Sequence, residues 1–92
     1  MKKIKFSLIV PLAPWRDAEI LSSIAKMDYP KSKYEIIIEK GLHVPDNRNN
    51  GIKKSKGEII VFLDYDAVIK PYFLKNVEAF FKKNKNIDFL GG

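Results

Sequence analysis

Cysteine is absent from the 92 residues, which excludes a disulfide framework and any thiolate metal site. Histidine occurs once, at His43, so an imidazole-only zinc site would need ligands from elsewhere. No apolar run approaches the ~18 residues of a membrane-spanning helix. The opening MKKIKF, followed by SLIVPLAP, is broken by Pro11 too early to make a signal peptide, and the expected location is cytoplasmic, or the cytoplasmic face of a membrane. Arginine is nearly absent as well: Arg16 and Arg48 are the only two, and lysine makes up the rest of the 17 basic residues. Against 11 acids this gives a net charge of +6. Dispersed lysine reads first as a solvated surface, with nucleic acid or another polyanion as a secondary partner.

What the chain does have is enough apolar content, 46% with 12% aromatic, to pack a core rather than remain disordered. At this length it buries only about two-thirds of the surface its unfolded form exposes, so stability is modest. Apolar runs at residues 5–10, 34–38, 58–63 and 87–90 read as strands. Between them, helices are expected over 15–27, 46–57 and 71–84. The first helix carries Trp15, Ala18, Leu21, Ile24 and Ala25 at helical spacing, which places Trp15 in the core. In the second, Asp46 or Asn47 serves as cap and Gly57 as a left-handed stop. Pro71 suits the first turn of the third, with Phe73, Val77, Phe80 and Phe81 on one face. The alternation of strand and helix specifies an α/β fold, a doubly wound and mainly parallel sheet whose ligands bind beyond the carboxyl ends of the strands. Four strands make half of a typical sheet of this kind. Residues 1–92 therefore read as the N-terminal part of a longer domain, with an open edge that could support self-association.

The segment GEIIVFLDYDA, Gly57 to Ala67, carries the chemistry. Ile59 to Leu63 form an unbroken apolar strand that needs cover on both faces, and it runs into Asp64 and Asp66. Two carboxylates so close repel each other unless a cation or a proton lies between them. Hard oxygen donors of this type suit Mg2+ or Mn2+, which also accept phosphate oxygens as ligands. Arg48, beside Asn47 and Asn49, offers a planar fork for phosphate or a base carbonyl. Glu39 closes the second strand, where a nucleotide-binding sheet places an acid. At the first loop, Pro11 ends a strand on the same rim, and Trp15 and Arg16 stand close enough in sequence to stack on or clamp a ligand.

Taken together, FSLIVP at Phe6 to Pro11, Tyr29-Pro30 followed by YEIII at Tyr34 to Ile38, Arg48-Asn49-Asn50-Gly51-Ile52, SKGEIIVFLDYDA, and then Pro71 and Leu74 resemble the N-terminal half of a family-2-type nucleotide-sugar glycosyltransferase with the A-type fold. The resemblance covers nearly the whole chain. It implies metal-dependent sugar transfer, with inversion, from a nucleoside diphosphate sugar to a hydroxyl of a glycan, lipid or protein acceptor. It also implies donor contacts at Pro11, Glu39, Arg48 and Asp64, with Asp66 the direct metal ligand and Asp64 at ribose or metal-bound water. In two respects the chain departs from that pattern. EKGLHVPDN replaces the usual acidic pair and small-polar run after the second strand, and no counterpart of the family's general base precedes Gly92. Two other classes share some of these features. A haloacid-dehalogenase-type phosphatase would use Asp64 as nucleophile, but its motif opens the domain and continues with Gly-Thr rather than Ala67-Val68. A noncatalytic nucleotide or polyanion binder would account for the charge.

Overall fold

A computed structural model describes residues 4–83 and 89–91. Four strands, β1 (Phe6–Leu12), β2 (Tyr34–Lys40), β3 (Ile59–Phe62) and β4 (Phe89–Gly91), form one sheet in the order β2-β1-β3-β4. All three pairings are parallel, as expected of strands joined by helical crossovers. The helices are α1 (Ile20–Ala25), α2 (Val44–Lys54) and α3 (Phe73–Lys83). The start expected for the fourth strand, at residue 87, lies outside the described residues. None of the described helices is long and apolar enough to cross a membrane.

Alternation along β1 divides the core in two. Phe6, Leu8 and Val10 pack with Val61, Leu63, Ile20, Ile24, Leu74 and Val77 on the side of α1 and α3. Ser7 and Ile9, equally buried, face α2, whose Gly51 lies so close to Ile9 that a β-carbon there would stand 2.5 Å from Ile9 Cγ2. Both faces of the central part of β1 are therefore covered.

Three local expectations are corrected. The first helix begins at Ile20, not at residue 15, because Ala13 to Arg16 form a turn closed by Arg16 N–H to Ala13 O at 3.0 Å, and Ile20 N–H donates to Tyr65 O at 2.8 Å. Trp15 consequently lies outside the core, 71% exposed, and Ile20 takes the buried position. The second helix starts earlier than Asp46, after an extended His43, and ends at Lys54 followed by an extended Ser55. Gly57 is no left-handed stop, since no described residue has a positive φ. Its lack of a side chain serves close approach instead: a β-carbon there would meet Ser7 N at 2.6 Å and Phe6 C at 2.7 Å. The third helix starts at Phe73, just after Pro71. On it Leu74 and Val77 are buried, Phe73 and Phe81 pack at the core margin, and Phe80 is exposed.

Beneath α1 and α3, Tyr29 packs edge-on to Phe6 at 5.6 Å between centroids and donates its hydroxyl proton to Glu78 Oε2 at 3.1 Å. Burial first, and the Glu78 carboxylate second, push the phenol up to about 12 from 10.0. A raised pKa in the fold contributes stability that is complete below the unfolded value and is lost as pH rises through the folded one. Stability should thus decline between pH 10 and about 12 through this residue. Absorbance titration of the native protein should show one tyrosine ionising near the top of that window, and Tyr29→Phe should remove both this late ionisation and its share of the decline.

Candidate functional site

The carboxyl ends of the strands bring the expected residues to one rim. Pro11 is level with Glu39 in the β1–β2 register, and Ile9 is level with Phe62 in the β1–β3 register. Leu63 N–H still donates to Ile9 O at 2.9 Å. One step further along the chain comes Asp64, so Glu39, Pro11 and Asp64 stand at the carboxyl ends of three adjacent strands. At one strand spacing per step, the outer two backbones lie about 10 Å apart. Phe62, level with Ile9, lies on the side of the sheet that α2 covers. Arg48 reaches that side from α2, its guanidinium carbon 5.4 Å from the centre of the Phe62 ring. Pro11, Glu39 and Arg48 therefore share one face of the sheet, and Asp64 follows at the same end.

Asp66 follows in a turn closed by Ala67 N–H to Asp64 O at 3.1 Å. Both aspartates are exposed, and among the described residues neither side chain has a hydrogen-bond or ion-pair partner. No third His, Asp or Glu joins them among the described residues. Two unpaired carboxylates without a third protein ligand suit a hard ion that completes its shell with water and phosphate oxygens, the habit of Mg2+ and Mn2+. A buried all-protein cage is not what this rim offers.

Glu39 is not the surface acid that its neighbour Lys40 would lead one to expect. It is only 9% exposed, and its Oε2 accepts a hydrogen bond from Lys54 Nζ at 2.8 Å. Asn47, grouped with Arg48 and Asn49 in the sequence, is buried and does not reach out to the rim: its Nδ2 donates to Gly41 O at 3.1 Å and to Leu12 O at 3.4 Å, tying the ends of β1 and β2 together. Leu12 lies 35 residues before Asn47, and nothing in local sequence signals that pairing. His43 sits in the loop before α2, with Nδ1 3.1 Å from Asp46 Oδ2.

Among the described residues, the three most exposed large apolar side chains, Val68 at 87%, Leu42 at 81% and Trp15 at 71%, stand on the three loops that leave this rim. Apolar surface collected round a polar centre marks a place where something else packs. Arg16 also belongs here, its guanidinium carbon 5.7 Å from the centre of the Tyr65 ring between the two aspartates.

Comparison with known proteins gives this geometry a family. The chain is 27% identical over 107 residues to the poly(ribitol-phosphate) beta-N-acetylglucosaminyltransferase TarS of Staphylococcus aureus strains Mu50 and MW2, covering 84% of this chain and 19% of the relative. It thus spans about a fifth of the length of these curated relatives. About 77 residues of this chain (84% of 92) enter that match of 107, so the relatives carry about 30 residues in the matched stretch that have no counterpart here. The crystal structure of residues 1–349 of S. aureus TarS superposes with a TM-score of 0.76 at 25% identity, over 87% of this chain and 33% of that one. The same fragment in complex with UDP-GlcNAc gives 0.73 at 26% identity, over 87% and 32%. Residues 16–92 match the family model described as glycosyl transferase family 2, and the chain belongs to that family.

Proposed function

We propose that this chain forms the donor-binding half of a glycosyltransferase that moves a sugar from a nucleoside diphosphate sugar to an acceptor hydroxyl, with inversion and with Mg2+ or Mn2+ held by Asp66 and Asp64. The observation that carries the proposal is that Pro11 is level with Glu39 at the end of the sheet where β3 runs into Asp64, with Arg48 stacked on Phe62, since sheet pairing and α2 bring these distant segments to one rim. That a similar chain was crystallised with UDP-GlcNAc supports a uridine diphosphate sugar as the first donor to try.

In this proposal Glu39 and Arg48 meet the nucleoside. Lys54 holds the Glu39 carboxylate against α2, and Phe62 supports the Arg48 fork, so both groups are oriented before the donor arrives. Asp64 accepts from a ribose hydroxyl or a metal-bound water, and Asp66 ligates the ion. A divalent ion there offsets the negative charge that grows on the diphosphate as the sugar leaves. The acceptor, whether glycan, lipid or protein, and the base that takes its proton are assigned to no residue of this chain. Open sheet edges leave room for further domain structure or for a second copy.

Trp15 is the single tryptophan and stands exposed on the rim, which makes its fluorescence a direct reporter. Titration with UDP-GlcNAc and UDP, and with GDP for comparison, should change its emission saturably in the presence of Mg2+ or Mn2+ and little in the presence of EDTA. Metal-independent binding of an oligonucleotide, falling steeply with salt, in place of nucleotide binding would overturn the proposal in favour of a polyanion module.

A further inference from the structure

The two arginines of this lysine-rich chain each rest on an aromatic ring of the segment that carries the acidic pair. Arg48 stacks on Phe62 on the α2 side, and Arg16 lies over Tyr65, whose ring packs against the core on the side of α1 and α3. Neither arginine forms an ion pair with a carboxylate among the described residues, and both are exposed. The backbone holds Arg16 in place from two directions. Its own N–H closes the turn to Ala13 O at 3.0 Å, and four residues on, Ile20 N–H donates to the carbonyl of the same Tyr65 at 2.8 Å. The first loop and the Asp64–Asp66 turn are therefore fastened together at Tyr65.

An exposed guanidinium with no anionic partner, held over an aromatic face, keeps its fork of donors free for a planar or tetrahedral anion. Lysine would suffice for bulk charge, and the chain uses it at fifteen other places. Resting on the donor-site proposal above, we infer that Arg16 binds the second phosphate of the donor, the one joined to the sugar. The order along the rim decides which phosphate. Glu39 and Arg48 stand on the α2 side and take the nucleoside, Asp64 comes two residues after the Phe62 on which Arg48 rests, and Arg16 is reached last, over Tyr65 on the side of α1 and α3. A diphosphate that starts at Arg48 and crosses the acidic turn brings its outer phosphate to Arg16. That phosphate gains a negative charge when its bond to the anomeric carbon breaks, because the bonding electron pair stays on its oxygen. Arg16 thus becomes a binding residue of the leaving group, matched to charge that develops during transfer.

The test compares nucleoside mono- and diphosphates by Trp15 fluorescence and, because Arg16 adjoins Trp15, by calorimetry as well. In Mn2+, Arg16→Ala should weaken UDP by about 10- to 100-fold while UMP changes by less than about twofold. Arg16→Lys should fall between the two proteins, since it keeps charge but not the fork. Equal weakening of UDP and UMP would assign Arg16 a merely structural role in the loop, and no change in either would leave it without one; both overturn the inference. The parent proposal is judged separately. If Asp66→Ala abolishes metal-dependent UDP binding but Arg16→Ala keeps the ratio of UDP to UMP affinity, the donor site stands and this inference falls. If the native protein binds neither nucleotide, both fall.

Discussion

Asp66→Ala should weaken nucleoside diphosphate binding in Mn2+ by more than about 100-fold and reduce it to the level seen in EDTA, while the thermal midpoint stays within a few degrees of the native protein. Altering groups that merely support a metal ligand costs about 10- to 100-fold in affinity, so loss of the ligand itself should exceed that. The stability side follows from exposure: Asp66 is in a solvent-facing turn and contributes no hydrogen bond or ion pair among the described residues. Relief of repulsion from Asp64 could even raise the midpoint slightly. Asp64→Asn should be milder, because an amide still meets a ribose hydroxyl or a water. Calorimetric titrations with UDP at several Mn2+ concentrations separate the two, since Asp66→Ala removes the metal dependence and Asp64→Asn retains it. Equal UDP affinity for native protein and Asp66→Ala in saturating Mn2+ would show that the ion is held elsewhere or not used.

How far the sequence spoke for the structure depended on how local each cause was. The strands were legible because buried runs such as Ile59 to Leu63 leave few other options, and the parallel order followed from the helices between them. That Pro11, Glu39 and Asp64 stand at one rim was legible for the same reason, since the carboxyl ends of parallel strands fall together once strands and crossovers are fixed. Helix ends were less so. Ile20 N–H finds Tyr65 O, a partner more than forty residues later, and that bond, rather than any capping residue, fixes where α1 begins. Apolar spacing therefore chose Trp15 for the core, and the tertiary contact chose Ile20. Likewise the ion pair that draws Glu39 under Lys54, and the Leu12 carbonyl that draws Asn47 inward, are relations between segments that no local pattern encodes. Arg16 was visible as a possible clamp, but only its place over Tyr65 ties it to the acidic turn.

Gly57 shows the same point in energetic terms and carries the largest expected effect on folding. Its N–H donates to Ser7 Oγ at 2.8 Å, and Ser7 in turn donates to Glu35 Oε2 at 2.6 Å, so one buried hydroxyl links the entry to β3 with β1 and β2. The same Glu35 oxygen accepts from Lys56 N–H. A methyl group at Gly57 would collide with Ser7 N and Phe6 C, which are backbone atoms of the central strand and cannot turn aside as a side chain can. Overpacking of this kind costs about 1–3 kcal/mol, and loss of the hydrogen bond to a buried hydroxyl adds about 1 kcal/mol. A domain of this length has a total stability of about 5–14 kcal/mol. Gly57→Ala should therefore lower stability by about 2–4 kcal/mol in urea denaturation and the thermal midpoint by roughly 10–20 °C. At Gly51 the clash is with the Ile9 side chain, which can shift, so Gly51→Ala should cost less. A Gly57→Ala loss below about 0.5 kcal/mol would mean that β1 and the start of β3 are not held this close. Because that contact lies at the start of the β1–β3 pairing, whose far end leads into Asp64, Gly57→Ala protein that still folds should also bind UDP more weakly than Gly51→Ala does.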